Sequence, residues 1–119
     1  MDMKTVSIII PHHNSSTLLK RLIKSIPSSL DAEIIVVDDN SNITEFDTIK
    51  TYSQLYNFKL YKNEGKTAGG ARNTGLKYAN GKWIIFADAD DIFTDILEKS
   101  ITPYFTSDYD IIFLSLIHI

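Results

Sequence analysis

The sequence of 119 residues contains no cysteine, so it can form neither a disulfide scaffold nor a metal site built on thiolates. It also lacks an excess of positive charge, because 12 lysine and arginine residues stand against 15 aspartate and glutamate residues. No basic run stands out, and this argues against nucleic acid as a partner. The length predicts a single domain, residues 1–119, with little room for a second one.

No apolar run is long enough to cross a bilayer. The longest, at 111–119, has about half of the ~20 residues that a membrane helix needs, and the N-terminus lacks a signal-peptide pattern. We therefore expect a cytoplasmic protein, with a peripheral position at the inner face of the membrane as an option. Because the sequence stops directly after this strand-like run, we also expect an incomplete domain whose open apolar surface favours homo-oligomers.

Buried-strand patterns alternate with helical patterns along the chain. Continuous apolar, β-branched runs predict strands, as does the alternating pattern at 58–63, and apolar residues at helical spacing predict helices. The predicted strands cover 5–10, 33–40, 58–63, 82–91 and 110–117, and the predicted helices cover a segment ending before Pro27, then 43–52, 68–81 and 94–103. This alternation predicts an α/β fold: a Rossmann-like, mostly parallel sheet with helices on both faces.

Polar clusters follow three of the predicted strands. They occupy 11–14, 38–41 and 88–91, directly after buried apolar runs. In parallel α/β sheets, ligands bind beyond the carboxyl ends of the strands, near the point where the strand order reverses. We therefore expect the three clusters to converge on one edge of the sheet and to form the functional site.

The acidic run after the fourth strand suggests a metal. In an extended segment, Asp88 and Asp90 point the same way while the small Ala89 packs beneath them. Carboxylates at this spacing suit a hard cation, Mn²⁺ or Mg²⁺, and Mg²⁺ is usually shared between protein carboxylates and substrate phosphates. A diphosphate is the implied companion. The alternative is that these residues, with Asp91, only close a turn or cap a helix.

Other candidates sit in the remaining clusters. Asp38 or Asp39 could accept a hydrogen bond from a base or a ribose, although Asn40 and Ser41 would equally suit an Asx turn. The ring of His12 or His13 could stack on a base, and Arg72 could contact a base or a diphosphate, with Gly69 and Gly70 permitting close approach. The plainer alternatives are loop histidines and a helix-surface arginine.

Two nucleotide motifs are excluded. The segment at 64–67, EGKT, resembles the end of a P-loop, but that motif needs a glycine at position 60, which is Leu60. The glycine-rich stretch at 64–75 does not contain the dinucleotide fingerprint G-x-G-x-x-G. Any phosphate is therefore bound in another way.

Taken together, VSIIIPHHN, EIIVVDDNS and NEGKTAGGARNTGLKYANGKWIIFADADD resemble the nucleotide-binding part of a family-2 glycosyltransferase of the GT-A fold, over about residues 6–93. The resemblance implies a nucleotide-sugar donor, namely a UDP-sugar, a glycan or lipid-linked acceptor, a divalent metal, inversion at the anomeric carbon, and a place in polysaccharide biosynthesis. It implies metal binding by Asp88 and Asp90, and nucleotide binding by Pro11, His13, Asn14, Asp38, Asp39, Arg72, Asp88 and Ala89.

The sequence departs from the family pattern in two respects. His13 stands where the family usually has tyrosine in its P-x-Y-N loop. The acceptor half of the family, with the carboxylate that acts as general base, is expected beyond Ile119, and neither Asp108 nor Asp110 matches that motif. The catalytic base is therefore not assigned.

Three other classes of protein share part of this pattern. A receiver domain would place its acidic pair after the first strand, whereas IIVVDD follows the second. A phosphohydrolase using D-x-D would carry that motif on an early strand, with most of the fold after it. The remaining alternative is a truncated, non-catalytic module that binds a nucleotide or a protein partner.

Overall fold

A computed structural model describes residues 5–65, 68–89 and 92 of the chain. The predicted helix at 94–103 and the predicted strand at 110–117 lie outside these residues, as do Asp90 and Asp91. The described residues form four strands and three helices in alternation: β1 Val6–His12, α1 Ser16–Ser25, β2 Ala32–Asp38, α2 Ile43–Leu55, β3 Lys59–Lys62, α3 Ala68–Tyr78 and β4 Trp83–Phe86.

The four described strands form one parallel sheet in the order β3-β2-β1-β4. The chain moves outward from β1 to β3 and then crosses to the opposite side of β1 to form β4. The strand order therefore reverses between β1 and β4, which is where ligands bind in sheets of this kind. The prediction of a parallel α/β sheet is confirmed.

The helices cover both faces of the sheet, because alternate residues of a strand point to opposite sides. One core joins Ile8 and Ile10 of β1 to Leu22 of α1 and Ile49 of α2. On the other face, Ala71 of α3 packs with Ile35 and Val37 of β2. We call these the α1/α2 face and the α3 face.

The first strand extends beyond the predicted end at Pro11, since β1 continues to His12 and Pro11 pairs with Val37. In β1, the backbone carbonyl of His12 points toward β2 and accepts a hydrogen bond from the N–H of Asp39. The backbone carbonyl of Ile9 points toward β4 and accepts one from the N–H of Ala87. By alternation, Pro11 faces β4 rather than β2, at the point where pairing with β4 ends. The missing N–H of proline therefore costs no ladder bond to β2.

Within the described residues, no helix is long and apolar enough to span a membrane. The helices instead show one-sided burial. In α1, Leu19, Leu22 and Ile23 are buried, whereas Leu18 is more than a third exposed. The α2 helix begins after Asn42, whose side chain accepts a hydrogen bond from the backbone N–H of Glu45.

Candidate functional site at the carboxyl edge of the sheet

The ends of β1 and β2 are tied together by buried polar side chains on the α1/α2 face. His12 Nε2 accepts a hydrogen bond from the backbone N–H of Ser15 at 3.0 Å, so Nδ1 carries a proton and donates to Asp38 Oδ1 at 3.0 Å. The hydroxyl of Ser41 also donates to Asp38 Oδ1, at 2.5 Å, and the backbone N–H of Ser41 donates to Oδ2 at 3.2 Å.

Asp38 is only 4 % exposed, so these bonds satisfy a buried carboxylate. Its bonds to Ser41 have the form of the Asx turn that the sequence left open. A nucleotide contact by Asp38 remains a prediction, and any such contact would compete with these internal donors.

Asp39 points the other way, as strand alternation requires, and lies on the α3 face. Its Oδ1 accepts a hydrogen bond from the side-chain amide of Asn63 at 3.1 Å. Asn63 Oδ1 in turn accepts from the backbone N–H of Gly65 at 2.9 Å and lies 3.5 Å from the hydroxyl of Thr74 in α3. Asn63 therefore connects the acid at the end of β2 to the segment that leads into α3.

Sequence reasoning did not single out Asn63. It is the first residue after β3, and its backbone N–H donates to the carbonyl of Asp38 at 2.8 Å. The rule that selected the other three clusters, a polar residue directly after a buried strand, does not apply here because β3 is not a buried strand. Its residues Leu60 and Tyr61 are partly buried, whereas Lys59 and Lys62 are exposed.

The loop after β1 places His13 beside Asp39. His13 Nδ1 donates to the backbone carbonyl of Asp39 at 2.7 Å, and the side-chain amide of Asn14 donates to Nε2 at 3.3 Å. Both His13 and Asn14 are exposed. The ring of His13 is thus oriented from both nitrogens.

Asn14 holds the loop after β1 to the start of α2. Its backbone adopts φ 48°, a left-handed conformation that asparagine tolerates better than most residues. Its side-chain oxygen accepts from the backbone N–H of Asn42 at 2.8 Å, and its own backbone N–H donates to Ser41 Oγ at 2.9 Å. A contact between Asn14 and a nucleotide stays a prediction.

The fourth strand brings Asp88 to the same edge and the same face. Ala87 donates its backbone N–H to Ile9, so Asp88 follows the β1–β4 ladder beside Pro11, which is half-buried. Arg72 of α3 lies 3.6 Å from Asp88, between the guanidinium Nη2 and the carboxylate Oδ1. Both side chains remain accessible, at 43 % exposed for Arg72 and 57 % for Asp88. The small Ala89 packs against the core of the α1/α2 face.

The structure describes one of the two predicted metal ligands. Asp88 offers carboxylate oxygens, which a hard divalent cation prefers, while Asp90 lies outside the described residues. Among residues 5–65, 68–89 and 92, no group of three or more His, Asp or Glu side chains is placed so that it could hold a metal ion. Metal binding by Asp88 and Asp90 therefore remains a prediction.

Close backbone packing shapes the entry to α3. A Cβ on Gly65 would lie 2.8 Å from the Cα of Gly70, so these two glycines let the loop and the helix touch. The sequence suggested that Gly69 and Gly70 permit a ligand to approach closely, and that stays a prediction. In the structure, Gly70 packs against Gly65, and Gly69 is exposed.

A concave space adjoins this edge between the ends of β2 and β3. It has a volume of about 260 Å³, and one of its lining residues is Asn63, which also donates a hydrogen bond to Asp39. The lining residues are Asp38, Asn40, Ser41, Ile43, Phe46, Lys62 and Asn63.

The fold and the strand-end residues define an α/β domain of the GT-A type. The chain matches the model of Glycosyl transferase family 2 over residues 7–119. This chain therefore belongs to glycosyl transferase family 2, as the resemblance implied.

Two curated relatives show the extent of the likeness. The chain is 38% identical, over 96 residues, to the poly(ribitol-phosphate) beta-N-acetylglucosaminyltransferase TarP of Staphylococcus aureus, covering 76% of this chain and 29% of that protein. It is 41% identical to the UDP-Glc:alpha-D-GlcNAc-diphosphoundecaprenol beta-1,3-glucosyltransferase WfgD of Escherichia coli, covering 78% of this chain and 38% of WfgD. The chain thus spans about a third of the length of these relatives.

Solved structures agree on the fold. TarS 1-349 of S. aureus in complex with UDP superposes with a TM-score of 0.68 at 28% identity, covering 84% of this chain and 32% of TarS. The mannosyltransferase PcManGT of Pyrobaculum calidifontis gives a TM-score of 0.72 at 20% identity, covering 91% of this chain and 34% of the other, and shows the fold alone.

Proposed function

We propose that this chain provides the donor-binding part of a glycosyltransferase that transfers a sugar from a UDP-sugar to a hydroxyl of a glycan or lipid-linked acceptor, with inversion. The observation that carries the proposal is the convergence of His13, Asp39, Arg72 and Asp88 on the α3 face of one sheet edge. Adjacent parallel strands lie ~4.8 Å apart, so Asp39 and Asp88 are separated by roughly 10 Å, within the span of one nucleoside diphosphate.

Each side chain has a function that its chemistry permits. The carboxylate of Asp39 can accept a hydrogen bond from a base N–H or a ribose hydroxyl, and the exposed ring of His13 can pack on the base. Pro11 would form the floor beside them. The TarS neighbour crystallised with UDP supports uracil as the base.

The diphosphate end requires positive charge. Arg72 places a guanidinium beside Asp88, and a guanidinium suits phosphate oxygens because it donates in pairs. Asp88 and Asp90 would hold Mn²⁺ or Mg²⁺ through carboxylate oxygens, and Ala89 leaves room between them. A bound divalent cation supplies charge stabilisation for the departing diphosphate. The general base that an inverting transfer needs stays unassigned.

Calorimetry with UDP, with and without Mn²⁺, tests the proposal on the 119-residue chain and its variants. We expect Asp39→Asn to raise the Kd of UDP about tenfold, corresponding to ~1.4 kcal/mol. Asp88→Asn should remove the difference between Kd values measured with and without Mn²⁺. Glu64→Gln is the matched control, since it neutralises an exposed carboxylate that contacts Lys77 and Tyr78 instead of the site.

Absence of UDP binding in both conditions would contradict the proposal. Binding of UDP without sugar transfer by any longer form of the protein would support a non-catalytic nucleotide-binding module instead.

A further inference from the structure

A second polar cluster lies at the opposite, amino edge of the sheet, on the α3 face. The carboxylate of Glu33 in β2 accepts hydrogen bonds from the hydroxyl of Ser7 in β1, from the backbone N–H of Asn80 at 2.5 Å, and from Lys59 Nζ at 3.1 Å. Ser7 Oγ also accepts from the backbone N–H of Gly81 at 2.7 Å. We call Ser7, Glu33, Asn80 and Gly81 the amino-edge cluster.

Glu33 is only 9 % exposed, so its bonds replace water. Burial by itself would raise the pKa of Glu33, but the donors from Ser7, Asn80 and Lys59 outweigh burial and hold this pKa below its ordinary value. The carboxylate is therefore charged at neutral pH, and removing it would leave buried donors without an acceptor.

The backbone that Glu33 binds is the turn between α3 and β4. Those two elements carry the cationic and the acidic sides of the candidate site, because Arg72 belongs to α3 and Asp88 follows β4. α3 has 11 residues, so it extends over ~16 Å from the site edge to the amino-edge cluster. A shift of this turn would move both sides of the site.

Two glycines set how closely these elements approach β1. A Cβ on Gly75 of α3 would collide with the side chain of Ile9, and a Cβ on Gly81 would collide with the backbone of Ser7. Gly81 is also the residue whose N–H donates to Ser7 Oγ. The turn is therefore held both by contact and by hydrogen bonds.

Strand register makes this position consequential. β4 pairs with β1 from Val6–Trp83 to Ile9–Phe86, and a slip by one residue would turn Asp88 to the other face. The short β4 has few ladder bonds to resist such a slip.

We propose that Glu33 is a positioning residue: through Ser7 and the Asn80–Gly81 turn, it fixes β4 and α3 on the sheet, and thereby sets Arg72 and Asp88 for the donor diphosphate. This inference rests on the proposed function, because it gives the amino-edge cluster an effect on nucleotide binding at the far edge.

The test uses Glu33→Gln, which keeps the size of the side chain and replaces one acceptor oxygen with a donor. Trp83 is the only tryptophan in the sequence, the first residue of β4, and fully buried. Acrylamide quenching of its fluorescence measures the accessibility of the indole and therefore reports how closely β4 packs on the rest of the sheet. The second measurement is the ratio of the UDP Kd without Mn²⁺ to that with Mn²⁺.

In Glu33→Gln, we expect Trp83 quenching to rise at least twofold and the Kd ratio to fall at least threefold. Glu64→Gln controls for loss of charge. Ile49→Val controls for loss of stability, since Ile49 is buried in α2 on the opposite face. Both controls should keep the wild-type Kd ratio. If Glu33 only stabilised the fold, Glu33→Gln would keep the wild-type Kd ratio as well.

Wild-type values of quenching and of the Kd ratio in Glu33→Gln would overturn the inference. If Glu33→Gln does not fold, Ser7→Ala replaces it, since it removes the link to Gly81 and leaves the bonds of Glu33 to Asn80 and Lys59; unchanged values there would count equally against the inference. A wild-type chain that does not bind UDP would refute the proposed function, and unchanged Trp83 quenching would then still refute the seating of β4 by Glu33.

Discussion

The two edges of the sheet use acidic residues in opposite ways. At the amino edge, Glu33 is 9 % exposed and accepts from donors on β1, on β3 and on the turn before β4. At the carboxyl edge, Asp88 is 57 % exposed and lies 3.6 Å from an exposed arginine. A buried carboxylate with internal donors stabilises the fold, whereas an exposed one beside a cation can exchange its partners for a ligand.

The same contrast recurs between neighbours at the end of β2. Asp38 is buried and bonded to His12 and Ser41, while Asp39 lies on the other face and contacts Asn63. Because adjacent residues of a strand point to opposite faces, Asp38 is a structural acid on one face and Asp39 is a candidate binding acid on the other. The following predictions test whether that division holds.

The largest effect should come from Gly81→Ala. Its Cβ would collide with the backbone of Ser7, which cannot move aside as a flexible side chain could. We expect the free energy of unfolding to fall by about 3 kcal/mol, as for severe overpacking. Urea unfolding measures this change. Gly69→Ala is the control, because Gly69 is exposed in α3 and alanine favours a helix; an equal loss in both variants would contradict the close packing of Gly81.

The second prediction separates Asp38 from Asp39. Asp38→Asn puts an amide donor against the donors of Ser41 and His12, so it should lower the free energy of unfolding by about 1–2 kcal/mol. Asp39→Asn should change stability by less than about 0.5 kcal/mol while weakening UDP binding. Urea unfolding and calorimetry together decide; the reverse pattern would assign the structural acid to Asp39.

The third prediction concerns pH. The pKa of Glu33 is lowered in the folded protein, so the unfolded state binds the proton more tightly. The stability that Glu33 contributes is therefore fully present above its ordinary pKa of 4.5 and is lost as pH falls through the lower folded value. The difference in unfolding free energy between wild type and Glu33→Gln should shrink between pH 7 and pH 3. A difference that grows on acidification would show that the sign is wrong.

The smallest effect should come from Glu64→Gln. Hydrogen bonds from Tyr78 and Lys77 lower the pKa of Glu64, but both Glu64 and Lys77 lie at the surface. Surface pairs of this kind contribute little, so we expect the midpoint of urea unfolding to remain at the wild-type value. A shift as large as that of Asp38→Asn would remove the distinction between buried and exposed acids.

Much of the fold followed from local patterns. Continuous apolar runs predicted β1, β2 and β4, alternation predicted β3, and helical spacing predicted α1, because the periods of buried residues differ between strand and helix. The boundaries were less certain: β1 runs through Pro11, since the direction of each strand's hydrogen bonds depends on which neighbour lies on which side. No local pattern contains that information.

The sequence indicated residues of the candidate site but not the contacts that these residues make. The rule that ligands lie beyond strand ends brought Asp39, His13 and Asp88 together, and the contacts of His13 and Arg72 agree with that grouping. Asn63 and Glu33 went unrecognised because each is an ordinary polar residue until a distant partner is known: Asp39, 24 positions away, for Asn63 and Asn80, 47 positions away, for Glu33.

The sequence alone determined the alternation of strands and helices, the family, and which residue types gather at the strand ends, because those properties are written in short-range periodicity and in motif order. The tertiary structure decided which acids are buried and hydrogen-bonded within the fold and which stay accessible at the edge of the sheet. That decision depends on the neighbouring strands and on burial, since a carboxylate becomes structural only when distant donors replace its water.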